Sequence, residues 1–224
     1  TRLRLDVLVP GLNDQLEARF PFDSTLLTES VLRLSSALAP LRTTILWDSS
    51  GTAAMAQAFY EKEYGGSLCP HVTFSTLSRQ RSMRDSLNTY DDAGEDHAQV
   101  YIIVRPKSVR GDQVLLTIEK AISRAPEAIW VLVNPLLEDS IDAYTFGIRE
   151  TDRRRDVLGE FQQVYSYRGL YKIARPALIP SERGALLKRW MQPWKVFKLD
   201  RDGYALLREF EDKPGRSELS GLSW

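Results

Sequence analysis

The 224 residues set thirty Lys and Arg against thirty Asp and Glu, with 43% hydrophobic and 27% charged content. That is the composition of an ordinary globular chain, long enough to bury one full core or one domain with a small annex. Its zero net charge argues against a chain-wide basic field for nucleic acid, and no apolar run nears the roughly 20 residues of a membrane-spanning helix.

The chain opens on a predicted strand, Leu3 to Val9, which alternates around Arg4 and Asp6 and then turns fully apolar before Pro10. A first residue of Thr1 rather than Met is expected of a processed form or a fragment, and nothing in the opening residues reads as a signal peptide. Gly11, Asn13 and Pro21 mark residues 11 to 22 as a loop. From Ser24, capped by Asp23 or Ser24, the residues Leu27, Val31, Leu34 and Leu38 recur at helical spacing until Pro40. Thr43 to Trp47 is a second strand. Asp48-Ser49-Ser50-Gly51-Thr52 then turns the chain into a helix over 53–64, closed by Gly65 and Gly66. Val72 to Phe74 is a short strand, and the polar residues 79 to 97 read as a loop or insertion.

Val100 to Val104 is a buried strand ending at Arg105-Pro106. Asp112 caps a helix whose apolar face is Val114, Leu115, Ile118, Ala121 and Ile122, and Ala128 to Val133 is a further buried strand ending at Asn134-Pro135. Near-continuous apolar strands alternating with helices of 10 to 15 residues are the pattern of parallel strands covered on both faces. Residues 1 to 140 are therefore expected to form a three-layer, mostly parallel, Rossmann-like α/β sheet. From there the pattern changes to period-two runs at 161–167, 184–190, 194–199 and 204–210, with a hairpin turn at Asp200-Arg201-Asp202-Gly203. These predict an antiparallel extension over 141–211, in one domain with the parallel core, and a polar tail over 212–224.

Candidate chemistry is sparse. The turn at Ser49, Ser50 and Gly51 lies between a strand and a helix, where amide groups can receive an anion, but it lacks the spacing of a phosphate loop or dinucleotide fingerprint, and most such turns merely cap a helix. Arg105 and Asn134 fall at the carboxyl ends of predicted strands, where open α/β sheets bind ligands, but strand termination by the prolines after them is the safer reading. No nucleophile elbow is present. Cys69 is the only cysteine, which leaves no internal disulfide and fits a reducing compartment, and with His71 and His97 it makes no local metal spacing. No catalytic residue, metal or cofactor is expected.

Residues 149 to 201 carry thirteen bases against six acids, whereas residues 1 to 148 carry fourteen against nineteen. Such a basic segment suits an acidic partner or an anionic surface, and equally a solvated face. Within it Arg153, Arg154 and Arg155 are bracketed by Asp152 and Asp156. Lys188, Arg189, Lys195 and Lys198 are interleaved with Trp190 and Trp194. Either tryptophan can close a core or face a partner; Trp194, beside Val196, is the one expected inside, with the four bases lining the solvent side.

Three stretches carry a resemblance: Ile129 to Leu137; Phe161 with Val164-Tyr165; and Gly184 to Arg189 with Pro193-Trp194-Lys195-Val196-Phe197. Together with Val104-Arg105-Pro106 they resemble a domain-of-unknown-function family of oxygenic phototrophs. That family includes a "low photosystem II accumulation" assembly factor of chloroplasts and the C-terminal extension of a chloroplast adenylate kinase. The resemblance implies a chloroplast protein of the stroma or the stromal face of the thylakoid membrane. Its expected partners are photosystem core or antenna subunits, with peripheral membrane association and no nucleic acid. A phosphate- or nucleotide-binding enzyme or sensor using Ser49, Ser50, Gly51, Arg105 and Asn134 is the alternative.

Overall fold

A computed structural model describes residues 1–9, 12, 23–66, 69–77, 98–107, 113–135, 137, 156–172 and 181–222. The polar stretch at 79–97, the Asp112 cap and most of the loop at 11–22 fall outside the described residues, as do Arg153, Arg154 and Arg155. The fold is mixed α/β with a mostly parallel sheet and antiparallel strands towards the C-terminus, which is the expected class. It divides into two compact units, Thr1–Arg4 with Ser24–Gln162 and Leu5–Asp23 with Gln163–Trp224. Strand β1 (Arg2–Leu8) contributes residues to both.

In the first unit β2 (Thr43–Trp47) pairs in parallel with β3 (Val72–Thr76) and β4 (Val100–Val104), and β4 pairs in parallel with β5 (Ile129–Val133). All five residues of β2 and of β4 are buried. Helices cover both faces, as their two-sided burial requires. Helix α2 (Ser50–Tyr64) sets Tyr60 against Phe74, ring centroids 5.6 Å apart, on the face that also carries Ile45. Helix α3 (Gln113–Arg124) sends Leu115, Ile118, Ala121 and Ile122 into the opposite face, among Leu46, Tyr101, Ile103, Trp130 and Leu132. There Tyr101 and Trp130, partners in register, stack at 4.3 Å, and the indole N–H of Trp130 donates to Ala125 O at 3.0 Å.

Helix α1 (Ser24–Ala37) does not bury the expected stripe. Leu27 and Val31 are inside, but the rest of the face is Thr28, Leu32 and Ser35, while Leu34 and Leu38 are only half-buried. The hydroxyls make this possible: Thr28 Oγ1 donates to Ser24 O at 2.7 Å and Ser35 Oγ to Val31 O at 2.9 Å, so neither is buried unsatisfied. Strand β1 likewise turns its charged residues inward. Arg4 and Asp6 are buried while Leu3 and Leu5 are half-buried, and Gln163 Nε2 donates to the Asp6 carboxylate.

In the second unit β6 (Gln162–Lys172), β7 (Ser181–Arg189), β8 (Trp194–Asp200) and β9 (Gly203–Phe210) pair antiparallel in sequence order. The β8–β9 hairpin closes as expected, Asp202 N donating to Asp200 Oδ1 at 2.9 Å and Gly203 taking φ 117. Residues expected as a polar tail include helix α4 (Arg216–Ser220), because Leu219 and Leu222 recur three apart in a polar stretch. They pack against Leu186, Trp194 and Val196.

Candidate functional site

Parallel register aligns the carboxyl ends of three neighbouring strands in the first unit. Leu46 pairs with Ile103 and Val104 with Val133, so Asp48, Arg105 and Asn134 leave β2, β4 and β5 side by side. Arg105 N donates to Val133 O at 2.8 Å, which continues the pairing one residue past the strands. Both Arg105 (φ 47) and Asn134 (φ 48) are left-handed, and each precedes a buried proline. Asparagine tolerates this region, but arginine does so at a cost, and a following proline favours extended backbone instead. Two such residues cost about 1–3 kcal/mol each. Arg105 is half-buried and Asn134 wholly buried.

Beside them begins α2. Ser49 takes extended φ and ψ, its Oγ accepts from Thr52 N at 3.2 Å and bonds Thr52 Oγ1 at 2.8 Å, so this hydroxyl caps the helix. Ser50 and Gly51 are exposed. A Cβ built on Gly51 would approach nothing closer than Ser49 Oγ at 3.9 Å, so no close backbone approach demands glycine there. The three turn residues, Arg105 and Asn134 thus share one end of the parallel strands. Trp47 Nε1 is buried at the same strand end without an acceptor among the described residues.

Cys69 is fully buried, its Sγ 3.4 Å from Leu32 O, and burial pushes its thiol pKa up. A thiol held in its neutral form is a poor nucleophile. His71 Nε2 lies 3.2 Å from Ser35 O. Both side chains tie α1 to the start of β3. Among the described residues no group of three His, Cys, Asp or Glu side chains is placed to hold a metal ion, and no helix is long and apolar enough to cross a membrane.

The basic and aromatic block lies in the second unit. Register sorts its members onto two faces of the sheet, because Leu186 pairs with Val196 and Leu187 with Lys195. Lys188 and Lys198 fall on the face of Leu186, Trp194 and Val196; Arg189 and Lys195 fall on the other, with Ala185 and Phe197. The four bases therefore do not line one surface. Trp194 is buried against Val196 and Leu186, with Lys213 Nζ 6.0 Å above its ring. Lys195 Nζ pairs with Glu209 at 3.4 Å. Trp190 is 44% exposed, at the start of the turn from β7 to β8.

That turn holds a residue absent from the expected set. Gln192 N donates to Arg189 O at 3.1 Å, closing a four-residue β-turn, and Lys188 Nζ donates to Gln192 O. Its third residue, Met191, has φ 56 and is 88% exposed. A left-handed third position in a β-turn ordinarily takes glycine or asparagine. The clue in the sequence was an apolar pair, Trp190-Met191, placed where polar turn residues belong. Strand β9 was expected only as a strand, yet it exposes Tyr204, Leu206 and Leu207.

The family described as "Domain of unknown function (DUF1995)" matches the chain over residues 1–220. No curated protein matches it.

Proposed function

The chain belongs to the DUF1995 family, and from that premise we propose a non-catalytic accessory or assembly protein that docks onto photosystem core or antenna subunits at the stromal surface of the chloroplast thylakoid membrane. This reading is motivated by the resemblance of the stretches at 129–137, 161–165 and 184–197 to a family of oxygenic phototrophs that includes a low photosystem II accumulation factor and the C-terminal extension of a chloroplast adenylate kinase. The observation that supports docking is the stretch Gly184 to Leu199, which carries four bases and no acid and exposes Arg189 and Trp190. Charge of one sign beside an aromatic side chain suits an acidic partner and makes association sensitive to salt.

Affinity purification of the tagged protein from native membranes tests this reading. Photosystem subunits should co-purify, in amounts that fall as salt is raised. Recovery of the protein as a free monomer from the soluble fraction, with no photosystem subunit attached, would sink it.

One observation favours a second reading, a phosphate- or nucleotide-binding enzyme or sensor. The two left-handed residues Arg105 and Asn134 lie adjacent, beside the start of α2. A phosphorylated metabolite bound there at a hundredfold excess over its Kd would stabilise the fold by about 2.7 kcal/mol. A panel of nucleotides and sugar phosphates that leaves the melting temperature unmoved removes this reading.

A further inference from the structure

We propose that the β7–β8 turn is a membrane-contact tip, with Trp190 and Met191 entering the interface of an anionic bilayer and Lys188 and Arg189 meeting its headgroups. Three observations converge on it. Met191 is 88% exposed and Trp190 44%, so the two most apolar residues of the turn project from the protein rather than pack into it. Met191 holds φ 56, where glycine or asparagine would sit without strain, so backbone energy is spent on an outward thioether. Within the β7–β8 hairpin the charge is of one sign: Lys188 and Arg189 precede the pair and no acid occurs between Gly184 and Leu199, while the acids at this end of the sheet, Glu209, Glu211 and Asp212, lie at or just past the end of β9.

Size decides what this tip fits. Two side chains alone fall far short of the roughly 800 Å² per partner that a stable protein interface buries, so at a protein partner this tip is at most one part of a larger contact. A bilayer interface asks less, because a tryptophan ring settles at the headgroup level, a flexible methionine reaches the acyl boundary, and each base near an anionic surface adds about a fivefold gain. Lys195 faces Glu209 at 3.4 Å and is not among the headgroup contacts. The proposal is independent of any photosystem partner, and lipid alone tests it.

The purified chain is to be co-sedimented with phosphatidylglycerol vesicles and with phosphatidylcholine vesicles, at low and at high salt. Binding is expected to phosphatidylglycerol, falling about tenfold or more for Trp190→Ala combined with Met191→Gly, and about fivefold or more for Arg189→Glu. Met191→Gly alone relieves the left-handed strain, so it should melt no lower than the parent while binding more weakly; that separates lost contact from lost folding. Absence of sedimentation with phosphatidylglycerol, equal binding to neutral vesicles, or undiminished binding by the double variant would each overturn the proposal. So would self-association without lipid that the same double variant abolishes, since the tip would then seat a second copy of the chain.

Discussion

The parallel strands of the first unit and the antiparallel strands of the second are built from similar residues and used differently. In β2 and β4 every residue is buried, threonines included, because α2 covers one face and α3 the other. Buried Thr44 meets that condition through the exposed Thr73 across β2 and β3, Oγ1 to Oγ1 at 3.0 Å. In β9 the run Tyr204-Ala205-Leu206-Leu207 is exposed throughout, although it is as apolar as a core strand. An apolar strand is therefore a core element only when something covers both its faces. The first unit spends its apolar residues on stability, and the second leaves part of them on the surface.

The sharpest test compares one tryptophan from each region. Trp130 is fully buried, stacked on Tyr101 and hydrogen-bonded through its indole N–H. Trp130→Ala should cost about 3–5 kcal/mol, read as a loss of melting temperature or a shift in denaturant midpoint. Trp194 is also buried, but among the described residues its cluster has Leu186 and Val196 as its fully enclosed partners, with Leu170, Phe210, Leu219 and Leu222 partly open. Its surroundings can close over a gap more readily, so Trp194→Ala should cost about 2 kcal/mol. Equal losses would erase the distinction between the two regions.

The same contrast governs how much was legible in the sequence. Strands β4 and β5 were expected at 100–104 and 128–133 and found at Val100–Val104 and Ile129–Val133, since two-sided burial writes an unbroken apolar run. Helix α1 was harder to orient. Its inner face includes Thr28 and Ser35, whose hydroxyls are satisfied by carbonyls one turn back, so polarity no longer marked the outside. In β1 the inward residues were the charged Arg4 and Asp6, which period-two hydrophobicity reads in reverse. Of the candidate sites, the Ser49 cap was visible because capping is a local rule. The left-handed backbone of Arg105 and Met191 was not visible, because no local preference of arginine or methionine points to it. Only neighbouring strands or a closing turn can hold it there.

A middle-sized effect tests the cap itself. Ser49→Ala removes the acceptor for Thr52 N and the partner of Thr52 Oγ1, and should cost about 1 kcal/mol of stability. If the hydroxyl held an anion as well, the loss would be larger in phosphate than in an uncharged buffer. Equal losses in the two buffers leave Ser49 as a cap alone.

The smallest expected effect bears hardest on the second region. Leu206 is 51% exposed on β9, which pairs with β8 and, among the described residues, stands last in the strand order. The register shift between Val196 and Phe197 leaves Leu207 between the paired residues Leu206 and Arg208, a bulge of the kind that disfavours edge-to-edge pairing. Leu206→Thr introduces a β-branched residue suited to a strand and removes surface already half in water, so the change should stay within about 0.5 kcal/mol. The variant should also be no less soluble than the parent, because it shortens an apolar run on an open edge. A loss above about 1.5 kcal/mol would mean that Leu206 is covered in solution. Dilution would then identify the cover: a loss that vanishes as the protein is diluted points to a second copy, and one that persists points to the chain itself.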